Sequence, residues 1–221
     1  MSERFSGIPL AAVDFYEQLA LNNTKTWWAE HKSEYDTFIR QPLEALLAEL
    51  EGEFGSGHVY RPYRDVRFSK DKTPYKDHQG ALVGVEDSIG YYVQISAAGL
   101  YVGGGWYAAS SKQTQRYRDA VDSAAVAALI PALAKARKGG LELGGDLMKT
   151  RPRGVDENHP HLDLMRQKSV LVSHQYESPA WLDSRTTLTR VRSAWRAITP
   201  LVEWLADHVG PVDEGIPSEP E

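Results

Sequence analysis

The chain has 221 residues, with 25 Lys and Arg against 30 Asp and Glu, a formal net charge of −5, and 42% hydrophobic residues. That is the balance of a soluble domain long enough to bury a core without staples, and mild acidity argues against indiscriminate nucleic-acid binding. Cysteine is absent, which excludes disulfides, thiolate metal sites, iron–sulfur clusters and cysteine nucleophiles.

No apolar run approaches bilayer length and no signal-peptide core opens the chain, so a cytoplasmic setting without a membrane partner is expected. The first quarter reads as helical. Pro9 suits a first turn, and Leu10, Val13, Phe15, Leu19 and Leu21 form a broad apolar stripe. Asn22-Asn23 breaks it, and Asn23 or Thr24 can cap a second helix carrying Trp27, Trp28, Tyr35, Phe38 and Ile39. Pro42 should kink or restart that helix before Leu43, Leu46, Leu47 and Leu50.

The middle of the chain changes character. Residues 81–85, 91–97 and 100–104 are short, β-prone and separated by turn residues. Ile89, Tyr91, Val93 and Ile95 alternate with more polar neighbours, and Gly99 can supply the positive φ of a hairpin at Ala97-Ala98-Gly99. Ser110 or Ser111 then caps a helix with Tyr117 and Val121, and residues 124–136 form an Ala/Leu helix with a restart at Pro131. Residues 159–167 suggest a short helix, 169–173 a buried strand, and 186–209 a helix interrupted at Pro200. The predicted fold is α+β, with N-terminal helices, a central mostly antiparallel sheet and C-terminal helices packed on it. A single domain over residues 1–210 and a flexible tail over 211–221 are expected.

The densest chemical signal is residues 61–76. Six basic residues (Arg61, Arg64, Arg67, Lys70, Lys72, Lys76) face two acidic ones (Asp65, Asp71), a local +4 that leaves −9 for the rest. Guanidinium groups suit bidentate recognition of carboxylate or phosphate, and Tyr63, Phe68 and Tyr75 interleave. In an extended segment Asp65, Arg67 and Ser69 share one face, and Arg64, Val66 and Phe68 the other. A second basic group runs through Lys149, Arg151 and Arg153 to Arg166 and Lys168. If it lies beside the first, the two make one anion-binding cleft. Each group read alone also fits a solvated, internally paired loop.

Other signals are weaker. His159 and His161 are separated by Pro160, which spoils a strand pair of metal ligands, and neither a zincin motif nor an EF-hand is present. No metal and no cofactor is expected. Gly103-Gly104-Gly105 has neither P-loop nor dinucleotide spacing and reads as a bulge before Trp106. Trp27 and Trp28 point about 100° apart on a helix.

Four stretches carry a family resemblance: residues 22–28 with Tyr35; residues 63–76; Tyr101-Val102-Gly103-Gly104-Gly105; and Arg153-Gly154 to His159-Pro160 with Lys168. In this order they resemble the family called domain of unknown function 2461, found in bacteria and fungi, which usually has Trp-Phe where this chain has Trp27-Trp28. The resemblance implies a single domain in which both basic elements belong to one design, and it supplies no reaction.

The expected function is binding of a small anionic ligand, phosphorylated or carboxylated, in a basic cleft. The candidate residues are Arg64, Asp65, Arg67, Ser69, Lys70, Lys72, Tyr75, Lys76, Arg151 and Arg153. Asp65 and Asp71 would orient neighbouring cations. A hydrolase or transferase in the same cleft, with Asp65 or His78 as acid/base, is the first alternative. A nucleic-acid or protein interaction module ranks behind it. Oligomeric state is not legible.

Overall fold

A computed structural model describes residues 4–67, 70–107 and 110–212. Three helices open the chain: α1 (Ala11–Asn22), α2 (Lys25–Tyr35) and α3 (Gln41–Phe54). Thr24 caps α2 by accepting the Trp27 amide. Leu10 and Leu21, counted in the α1 stripe, are exposed, while Ala12, Val13, Phe15, Tyr16 and Leu19 are buried. Between α2 and α3 the chain makes a π-helical turn, Asp36–Arg40, in which the Gln41 amide reaches back to the Asp36 carbonyl. Proline lacks an amide and crowds the carbonyl four residues back, so a widened turn just ahead of Pro42 carries the helix past it.

Six strands follow: β1 (His58–Val59), β2 (His78–Glu86), β3 (Ile89–Ser96), β4 (Gly99–Trp106), β5 (Glu142–Gly144) and β6 (Val170–Tyr176). They form one antiparallel sheet in the order β1-β2-β3-β4-β6-β5. The class is α+β, as the helix–sheet–helix reading anticipates. Along β3, Tyr91, Val93 and Ile95 are buried and alternate with partly exposed Tyr92, Gln94 and Ser96. The β3–β4 turn falls at Ala97-Ala98, and Gly99 takes φ +87°.

The remaining helices are α4 (Ser111–Val121), α5 (Val126–Lys138), α6 (Leu162–Met165) and α7 (Thr186–His208). Ser110 and Gln113 form a reciprocal capping box at α4. Both α5 and α7 run on through their prolines, Pro131 and Pro200. In each case the residue four back, Ala127 or Arg196, is exposed, so the turn that loses a hydrogen bond to proline lies on an open stretch of helix.

The chain divides into two compact units, each assembled from separated segments. The first comprises residues up to Val83, then Tyr92–Val102 and His174–Ser193; the second comprises Gly84–Tyr91, Gly103–Ser173 and Ala194 onward. In the first unit Ile8, Leu19, Ile39, Leu43, Leu46, Leu50, Val83, Val93 and Ile95 are all excluded from solvent. Arg185 ties its N-terminal strap down by gripping both oxygens of Glu49 (2.8 and 2.7 Å) and the Phe5 carbonyl (2.6 Å). The second unit buries Trp106, Tyr117, Leu129, Val170, Trp195, Ile198, Leu201 and Leu205. There the Tyr117 ring sits between Trp106 and Trp204. No helix among the described residues is long and apolar enough to cross a membrane.

Candidate functional site

The first basic element lies in the first unit and is a pinched loop. At its neck the Arg64 amide bonds the Pro74 carbonyl and the Lys76 amide the Pro62 carbonyl, both at 2.9 Å, with Tyr63 bridged to Tyr75. Asn23 clamps Tyr75 from both sides, donating to its carbonyl (3.0 Å) and accepting its amide (3.2 Å). The Tyr75 ring stacks on Trp28 at 4.0 Å and 8°. Tyr75 is therefore 5% exposed and anchors the loop, and burial raises its hydroxyl pKa. Trp28 is buried as well, whereas Trp27 is half-buried and stacks on His31 at 4.0 Å.

From 61 to 67 burial alternates in step with the sequence. Tyr63, Asp65 and Arg67 are exposed, and Pro62, Arg64 and Val66 are partly covered. Phe68 and Ser69, the latter a candidate ligand contact, lie outside the described residues. Asp65 accepts from Arg67 through both carboxylate oxygens (2.7–3.1 Å) and from the Arg67 amide. Arg64 pairs with Asp71 across the loop, and Asp71 also accepts from the Thr73 amide and hydroxyl. Lys70 and Lys72 are exposed, and the Lys72 ammonium bonds the Val66 carbonyl at 2.9 Å. Lys76 sits over the Tyr60 ring; desolvation, and then Arg61, lower its pKa.

The Arg67 side chain and amide hold the Asp65 carboxyl at about 2, well below the usual value near 4. A depressed carboxyl pKa means the ion pair is intact above the ordinary carboxylate range and is lost only as pH falls through about 2. A carboxyl-carbon NMR titration should therefore show Asp65 with a midpoint of about 2. In Arg67→Ala the midpoint should move up toward about 4.

The second basic element lies in the second unit. Arg151 bonds the Val155 carbonyl at 2.7 Å, and Arg151 and Arg153 are exposed. His159 donates from Nε2 to Asp122 (3.1 Å) and accepts the His161 amide at Nδ1 (3.1 Å), so both of its ring nitrogens have structural partners. Among the described residues no group of three or more His, Cys, Asp or Glu is placed to hold a metal.

Within this unit the element leads to a hollow of about 540 Å³. Residues 146–148 and 166–168 run antiparallel beside it, joined by Met148 amide to Arg166 carbonyl (2.8 Å) and Lys168 amide to Asp146 carbonyl (2.7 Å). Arg166 bolts this ribbon by donating to the Met148 and Lys149 carbonyls. The other wall is α4, which contributes Ser111, Thr114 and Arg118. The Arg118 guanidinium is aimed by the Met165 carbonyl (3.2 Å) and the Met148 sulfur (3.0 Å). Lys168 and Asp146 line the same hollow, and no ion pair joins them among the described residues. Sequence reasoning reached Lys168 but missed Arg118. The available signal was the capping box at Ser110, which fixes the helix start and puts residues 111, 114 and 118 on one face.

The chain belongs to the family described as conserved hypothetical protein (DUF2461), whose family model matches residues 11–204. No curated protein and no solved structure matches it.

Proposed function

We propose that the protein binds a small anionic ligand, phosphorylated or carboxylated, in the hollow of the second unit. The observation that carries this reading is the pair of cations there, Lys168 and Arg118, neither of which is paired with a carboxylate among the described residues. An arginine held by a carbonyl and a thioether keeps its full charge for a ligand, which an arginine neutralised by Asp or Glu does not. The Ser111 side chain stands on the same wall, adding a hydroxyl donor suited to phosphate or carboxylate oxygens, while the Thr114 hydroxyl is donated to the Ser110 carbonyl at 3.0 Å. Arg151 and Arg153 flank the hollow in sequence without lining it. The candidate cations of residues 61–76 belong to the other unit.

Inorganic phosphate, titrated at constant ionic strength and followed by calorimetry and thermal shift, is the direct test. Saturable binding is expected. Lys168→Met should weaken it about tenfold or more, the usual scale for a lost charge-assisted hydrogen bond. Asp146→Asn should tighten it severalfold by removing the one carboxylate of the lining. Arg153→Ala should leave it unchanged. Absence of saturable binding by phosphate, sulfate and acetate, or an unaltered Lys168→Met, would refute the assignment. Phosphoester turnover that vanishes in Asp146→Asn would replace a binding protein with a hydrolase.

A further inference from the structure

The loop of residues 61–76 has a chemistry of its own, independent of the hollow. It concentrates +4 in an otherwise acidic chain. Its neck is fixed by two backbone hydrogen bonds, the Asn23 clamp and the Trp28–Tyr75 stack. A fixed neck lowers the ordering cost of binding. Lys70 and Lys72 are exposed along the loop, the Lys72 ammonium resting on the Val66 carbonyl, while Arg67 is held by Asp65. Beside the neck the Tyr63 ring is 51% exposed, tilted against Tyr75 at 5.4 Å.

We infer that Tyr63, Lys70 and Lys72 of this loop form a contact site for single-stranded nucleic acid. Repeated phosphates match several separated cations better than one small anion does, and an exposed tyrosine offers a face on which a base can stack. Against a broad duplex the −9 of the remaining chain works by repulsion, whereas a single strand can follow the loop alone. The same argument ranks an acidic protein partner lower, because it gives Tyr63 no base to stack on.

The test is fluorescence anisotropy with labelled thymidine and uridine oligonucleotides of about twelve nucleotides, a span typical of small single-strand modules. Binding is expected at low salt. Two phosphate contacts, at Lys70 and Lys72, at roughly 0.7 released counterions each give a slope of about −1.4 in log K against log salt. Lys70→Ala/Lys72→Ala should weaken binding and cut that slope by about 1.4. Tyr63→Ala should weaken binding about tenfold with the slope unchanged. These side chains are exposed, so circular dichroism and melting should match the parent. Lys168→Met should bind the oligonucleotides normally, which separates this site from the phosphate hollow. The inference is overturned by absence of binding at low salt, by tighter binding of a duplex of equal length, by equally effective competition from polyglutamate, or by variants with parental affinity and slope.

Discussion

Gly99→Ala is expected to cost about 2–5 kcal/mol, the sum of a left-handed penalty and an overpacked contact. Gly99 takes φ +87°, and a Cβ there would stand 1.7 Å from the Glu177 carbonyl oxygen and 2.3 Å from its carbon. Both obstacles are backbone, so no side chain can swing away. The neighbouring ladder is reinforced by Gln175, which donates to the Ala98 and Leu100 carbonyls at 2.8 and 3.1 Å. Displacing Glu177 therefore pulls on β6 as well as on the turn. Thermal melting should record a fall of several degrees or more, by the usual scaling for a chain of this size. Gly84→Ala is the control: nothing lies within 4 Å of its Cβ and no positive φ is required. Its effect should stay within about 1 kcal/mol.

Trp28→Ala is expected to cost about 3–5 kcal/mol, the range for removing a large buried aromatic. Trp28 is 4% exposed, stacks flat on Tyr75, and meets Phe15 and Tyr35 at 5.9 and 4.9 Å. Its indole nitrogen is buried without a hydrogen-bond partner among the described residues. Trp28→Phe keeps an aromatic ring and discards that unpaired donor, so it should cost distinctly less. Urea unfolding separates the two variants through their midpoints. In Trp28→Ala, hydrogen exchange should also speed up at the Arg64 and Lys76 amides, which close the neck of the basic loop.

These contacts show why the sequence was informative in some places and silent in others. Alternation along residues 61–67 needs only the period of an extended chain, and burial follows it. The pairing of Arg64 with Asp71 does not follow from local spacing, because it requires the loop to close at Tyr63 and Tyr75. Proline likewise marked three places where a helix could break. It produced a widened turn before Pro42, while α5 and α7 continued through Pro131 and Pro200, a difference that local spacing does not distinguish. Lys168 was visible as part of a charge cluster. Arg118 was hidden because its charged companions in the hollow, Asp146 and Lys168, lie outside α4, 28 and 50 positions further along the chain.

The π turn at residues 36–40 fixes the rotational phase between two helices. One extra residue accommodated in a helix turns everything beyond it by about 100°. With it, the aromatic side of α2, carrying Trp28 and Tyr35, and the leucine side of α3, carrying Leu43, Leu46 and Leu50, are both buried. Deleting Thr37 would make the backbone more regular and the protein worse. A conventional α-helix would run through to Phe54, but the leucines would swing away from the interior while the tryptophan held its place.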